Sequence, residues 1–239
     1  MTPSTRSTVR VVGSVLALLL VLGAALSGVA QAARTSTTST HALPADLTSV
    51  ELSNAVGRVL VTAVDAGEEP RVVVTATGGF TDPTFEVEES GGAVSLAGRC
   101  PKGLLFGPCE VDWRVFVPAD VDVSVETSVG DVVVTGAGRT VRAASDVGSV
   151  TVAGVRARTV DVQGSVGDVV VDVDVAPELL TARTSTGDVE VTVPEGSSAY
   201  QVRSSTSVGS VRTAVPVDDD SPHRLELLTS VGDVSVRTG

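Results

Sequence analysis

The sequence predicts an all-β fold: a parallel β-solenoid with coils of about twenty residues and an N-terminal β cap. Three observations predict it. The chain is 42% hydrophobic but only 3% aromatic, and its abundant valine and threonine carry branched side chains that fit a pleated surface. The tetrapeptide Ser-Val-Gly-Asp recurs at 128–131, 165–168 and 230–233. Around each such glycine the apolar residues keep one register while the intervening lengths drift. No amphipathic helical stretch follows residue 33. About 200 residues bury a substantial core, so one domain is the expectation.

Residues 1–33 read as a targeting segment. Arg6 and Arg10 give a positive start, 11–26 is uncharged and largely apolar, and Ala30-Gln31-Ala32 has the small-x-small pattern of a signal-peptidase site. No lipobox cysteine is present. Two outcomes stay open: a cleaved signal peptide, or an uncleaved anchor. The 11–33 stretch is just long enough to span ~30 Å of hydrocarbon. Arginines on the inside would leave the bulk of the chain outside, so either outcome predicts an extracytoplasmic domain. Cleavage removes both arginines and takes the net charge from −12 to −14. Residues 34–43, with a Ser/Thr run, read as a flexible spacer.

The domain is expected over 44–239. Seven glycines align: Gly57, Gly130, Gly148, Gly167, Gly187, Gly209 and Gly232. After the second, the steps are 18, 19, 20, 22 and 23 residues. Two positions after each glycine stands valine; four positions after, valine again, except for Thr213. Those positions share one face of a strand, because side chains alternate. Upstream, positions −7 and −5 are apolar in every unit but one, which has Ser204 at −5. Each unit is therefore strand, sharp corner, strand. Glycine supplies a positive φ at the corner, and Ser or Asp caps nearby backbone groups. The extra length falls in the opposite corner, from 136–139 in one unit to 216–223 in a late one. The alternative is an antiparallel β-sandwich with each tetrapeptide as a hairpin loop. A sandwich has no reason to hold one register throughout.

Residues 65–120 interrupt the repeat. Alternating runs at 71–77, 84–88 and 111–117 predict strands of a cap, which a solenoid needs to cover unpaired backbone. The last unit stops at Gly239 with no cap, so its edge is either open or covered by a partner.

The run Val111-Asp112-Trp113-Arg114-Val115-Phe116-Val117-Pro118, followed by Val123-Ser124-Val125-Glu126-Thr127-Ser128-Val129-Gly130-Asp131-Val132, resembles the DUF4097 adhesin-like domain family. The resemblance covers roughly 44–239. It implies a β-repeat fold and an adhesive class of function, and it brings no catalytic residues. Where that family often has a second Ser or Asn before the glycine, this chain usually has valine.

Candidate chemistry is sparse. Cys100 and Cys109 are the only cysteines, and an exported pair at this spacing predicts a disulfide worth ~2–3 kcal/mol in the loop-entropy model. A redox pair or zinc site would need a different spacing or more ligands. Leu104, Leu105 and Phe106 at the loop tip are a possible contact for a membrane or partner; the alternative folds them back on the cap. Asp131, Asp168, Asp188 and Asp233 would stack as a calcium-binding ladder, but Arg58, Ser149 and Ser210 break it, which favours turn-capping. Asp218-Asp219-Asp220 reads as a solvated loop. Asp172 and Asp174 near Arg156 and Arg158 are the one pattern suggesting a carbohydrate-active site; charged residues alternating on an outer strand face are the ordinary reading. His41 and His223 lack a nucleophile or ligand pattern.

The acidic chain carries no basic stripe, which argues against nucleic acid. No cofactor is implied. The leading expectation is a non-catalytic extracytoplasmic module, structural or adhesive, facing an unidentified envelope or surface ligand. The first alternative is a membrane-anchored sensory or regulatory ectodomain, and the remote one is a carbohydrate-active enzyme. Oligomeric state is left open.

Overall fold

The computed structural model describes residues 35–239, except 66, 80–81, 102–108 and 197–198. The expected targeting segment and the tip residues Leu104, Leu105 and Phe106 lie outside the described residues.

The described residues form strands and no helix. In chain order these are β1 (Thr35–Ala42), β2 (Ser49–Val56), β3 (Val59–Ala63), β4 (Arg71–Gly78), β5 (Thr84–Ser90), β6 (Ala93–Arg99), β7 (Glu110–Val117), β8 (Asp122–Val129), β9 (Val132–Thr135) and β10 (Thr140–Val147). Then come β11 (Val150–Val155), β12 (Thr159–Val166), β13 (Val169–Val173), β14 (Leu179–Thr186), β15 (Val189–Val193), β16 (Gln201–Ser205), β17 (Val211–Ala214), β18 (Arg224–Val231) and β19 (Val234–Thr238).

The strand before each corner glycine joins one sheet and the strand after it joins the other. A hairpin would have returned the chain to the same sheet. Pairing is parallel throughout the repeats, for example Val160 with Val141 and Leu180, and Val169 with Val150 and Val189. The solenoid is therefore the fold, and the sandwich is excluded. Identical registers stack valine on valine. Val59, Val132, Val150, Val169 and Val189 line one wall at 0% exposure. At about 1.5–3 kcal/mol for each fully buried aliphatic side chain, these ladders are the main source of stability.

The order of coils is not the order of the chain. The sheets run β1-β4-β7-β3-β9-β11-β13-β15-β19-β17 and β16-β18-β14-β12-β10-β8-β2-β6-β5. The C-terminal coil, β18/β19, lies inside the stack, between β14/β15 and β16/β17. Gly239 therefore does not mark an open edge; the end coil is β16/β17. The reason is in the side chains. Leu225, Leu227, Val234 and Val236 of the C-terminal coil are at most 1% exposed. The end coil is the unit with Ser204 and Thr213 at core positions. Burying an unpaired hydroxyl costs roughly 1–3 kcal/mol, and exposing four aliphatics forfeits more. Both terms put the polar unit outermost.

The other end is built in the same manner. Within 65–120, β6 and β7 continue the solenoid, pairing in parallel with β2 and β3. The chain then returns to lay β8 and β9 on the opposite side of that coil. Only β1, β4 and β5 are antiparallel. The expected flexible spacer is a correction: Thr35–Ala42 forms β1, paired with β4 along its whole length. Alternating β-branched threonines suit an edge strand as well as they suit a linker. Trp113 is fully buried in the cap and donates from Nε1 to Asn54 Oδ1 at 3.2 Å; Phe85 meets its ring edge-on.

Candidate contact surfaces

Three features hold the corners together. Each corner glycine has positive φ, +142° at Gly167, and a Cβ there would run into the carbonyl of Gly148 one coil away. The aspartate after the glycine reaches across to the next coil. Asp131 Oδ1 accepts the Ser149 N–H at 3.1 Å, Asp168 Oδ1 that of Asp188 at 2.9 Å, Asp188 Oδ1 that of Asp233 at 2.8 Å, and Asp233 Oδ1 that of Ser210 at 2.7 Å. Hydrogen bonding to the Ser210 backbone, then to its side chain, holds the Asp233 carboxyl below the usual range. Three positions before the glycine, a hydroxyl donates to the neighbouring corner carbonyl: Ser145 to Gly130 O at 2.8 Å, Thr184 to Gly167 O at 3.0 Å, Thr229 to Gly187 O at 2.9 Å. The exception is Thr127, whose buried Oγ1 has no partner; the corresponding carbonyl, Gly57 O, already accepts from Asn54 Nδ2 at 3.2 Å.

A further feature of the corners was not singled out by sequence reasoning. At five of the seven corners the residue before the glycine is a valine that points into solvent. Val129, Val147, Val166, Val231 and Val208 are 45–64% exposed. The recurrence of valine at this position, with Thr186 as the exception, was the available signal.

Cys100 and Cys109 are bonded. They join the ends of β6 and β7, where other coils have the short glycine corner. Arg156 and Asp174 form an exposed ion pair at 3.7 Å, and Asp172 lies exposed on the outer face of β13. Asp218 Oδ1 accepts the Asp220 N–H at 3.0 Å, an intraloop turn. His223 Nδ1 lies 2.8 Å from Pro177 O, and His41 sits on β1 with its ring edge toward Phe85. Among the described residues, no cluster of three or more His, Cys, Asp or Glu side chains is arranged to hold a metal ion. A cleft of about 520 Å³ opens between Val64, Pro70 and Pro118, rimmed by Asp65, Glu68, Glu69 and Asp120. Its described lining contains no histidine, hydroxyl or thiol.

Parallel coils, glycine corners and an antiparallel cap define a β-solenoid repeat domain. The chain belongs to the Toastrack DUF4097 family, whose model matches residues 47–237. Two solved structures share the fold. A "putative cell adhesion protein" from Clostridium sporogenes is 12% identical with a TM-score of 0.54, the match covering 86% of this chain and 100% of that one. A "putative adhesin" from Bacteroides fragilis is 16% identical with a TM-score of 0.51, covering 84% and 97%. At these identities the likeness concerns the fold alone. No curated protein matches the chain.

Proposed function

We propose that this protein is a non-catalytic, extracytoplasmic surface module of structural or adhesive type. One observation carries the reading. The repeated aspartates and hydroxyls at the corners are engaged in holding coil to coil, while the outer faces carry regular, repeated side chains. The Cys100–Cys109 bond supports an oxidising location, and the names of the two structural relatives point the same way. The test is a deletion strain compared with its parent for surface attachment and envelope integrity. Reduced attachment, restored by the full gene but not by a version lacking the targeting segment, is the expected result. Unchanged attachment and integrity would count against the reading.

A membrane-held ectodomain is the second reading, favoured by the position of β1. Among the described residues, Thr35, two positions after the apolar stretch, is already in strand β1. An uncleaved segment would hold the domain against the bilayer with almost no slack. Mass spectrometry of the mature N-terminus separates the two: a start near Ala33 means secretion, and a start at Met1 means an anchor. Screening polysaccharides for turnover, with Asp172→Asn and Asp174→Asn as controls, tests the enzymatic reading.

A further inference from the structure

Of nine large apolar side chains exposed among the described residues, five stand on one line. They are the valines before the corner glycines. Strand register places them next to one another: Val129 beside Val147, Val147 beside Val166, and Val208 beside Val231. Val56 continues the row at one end, and Thr186 bridges Val166 and Val231. At about 4.8 Å per strand, the ridge runs roughly 29 Å along the stack.

The residues flanking the ridge carry a second regularity. In four coils Ser stands on the near side and Asp on the far side: Ser128 and Asp131, Ser165 and Asp168, Ser185 and Asp188, Ser230 and Asp233. In the coil of Gly148 the pair is reversed, Asp146 and Ser149. Turn-capping alone does not account for a reversal, because it moves the carboxylate off the capping side.

We propose that the corner ridge is a self-association surface, docked by the ridge of a second copy about a two-fold axis parallel to the stack. That axis sets each coil opposite its own counterpart and sets the near flank of one copy against the far flank of the other. Every Asp then faces a Ser hydroxyl, in the reversed coil as in the others. The capping aspartates use Oδ1 within the chain; Oδ2 of Asp168 and Asp188 is left to accept from the partner, while Asp131 Oδ2 already lies 3.9 Å from the Arg58 guanidinium and Asp233 also bonds the Ser210 side chain. An antiparallel two-fold would set Asp rows against Asp rows. Valine ridges meet coil for coil only when the facing stack has the same period, and a second copy supplies it.

The contact is small, on the order of 400 Å² per copy, which is the range of weak, transient interfaces. Membrane or surface crowding raises the effective concentration that such a contact needs. A net charge of −12 opposes association, so added salt strengthens it.

Single cysteines in the exported full chain test the geometry, because the two native cysteines are already bonded to each other. Val129→Cys, Val166→Cys and Val231→Cys should each give a disulfide-linked dimer on a non-reducing gel. Linkage at Val166 alone, or at none of the three, overturns the proposal. Sedimentation of the same chain tests the flanks. Ser165→Asp should weaken association by roughly tenfold, and Ser165→Asp with Asp168→Ser should restore it. Failure of the double variant to recover overturns the proposal, provided its melting curve stays within that of the single variant. Val166→Asp, at a 52%-exposed position, should abolish the dimer without changing the melting curve; an undiminished dimer contradicts the assignment.

Discussion

Asp188 and Asp233 are 45 residues apart, yet Asp188 Oδ1 accepts the Asp233 N–H at 2.8 Å. In a solenoid wound in chain order, that carboxylate would cap Ser210. Instead Ser210 is capped by Asp233, at 2.7 Å. The two bonds together record that the C-terminal coil is inserted beneath the coil that precedes it. The aspartates that the sequence favours as turn caps over a calcium ladder therefore report the order of the stack.

The corner glycines should be far less tolerant than glycines elsewhere. Gly167→Ala combines a φ of +142° with a collision against the Gly148 carbonyl, and should lose about 3 kcal/mol or more. Gly154 also has positive φ, +63°, but a Cβ there meets nothing within 4 Å. Gly154→Ala should cost only about 1 kcal/mol. Urea denaturation of both variants checks the contrast, and equal losses would refute the packing argument.

Two threonines at the same repeat position should respond with opposite signs. Thr229→Val removes a hydroxyl that donates to Gly187 O and leaves that carbonyl short of a partner; a loss of about 1–2 kcal/mol is expected. Thr127→Val removes a buried hydroxyl with no partner and should be neutral or stabilising by up to about 1 kcal/mol. The measurement is the shift in denaturation midpoint for each.

Stability should be flat near neutrality and fall in acid. Ser210 holds the Asp233 carboxyl low, and Arg139, through its side-chain hydrogen bond, does the same for Asp122. A depressed carboxyl stabilises the fold above its unfolded pKa of about 3.9, and that contribution is lost as pH falls through the lower folded value. Melting temperatures should therefore hold from neutrality down to about pH 5 and drop below about pH 4. In Asp233→Asn the acid-side drop should be shallower.

Much of this architecture was legible because the repeat writes the same register seven times. Positions −7, −5, +2 and +4 become the buried ladders, and the Ser204 and Thr213 departures mark the end coil. What those departures meant was not legible: period fixes the face a side chain occupies, not which coil lies beside which. Strand β6 was missed although Val94 and Leu96 alternate with small or polar residues. Strand β1 was missed because an exposed Ser/Thr strand has the composition of a linker. The ridge went unread because the corner valines were counted as turn residues, and only the folded corner shows them facing out.

The inverted coil order is tested most directly by paired cysteines on the outer face. Glu190 is the register partner of Ser235, and Ser235 of Arg212. Glu190 and Arg212 are thus two strands apart, about 9.6 Å, beyond the reach of a disulfide. Glu190→Cys with Ser235→Cys should oxidise to an intramolecular disulfide in the folded chain, and Glu190→Cys with Arg212→Cys should not. The reverse outcome, a bond between 190 and 212 and none between 190 and 235, would mean that the coils follow the chain and would contradict the account.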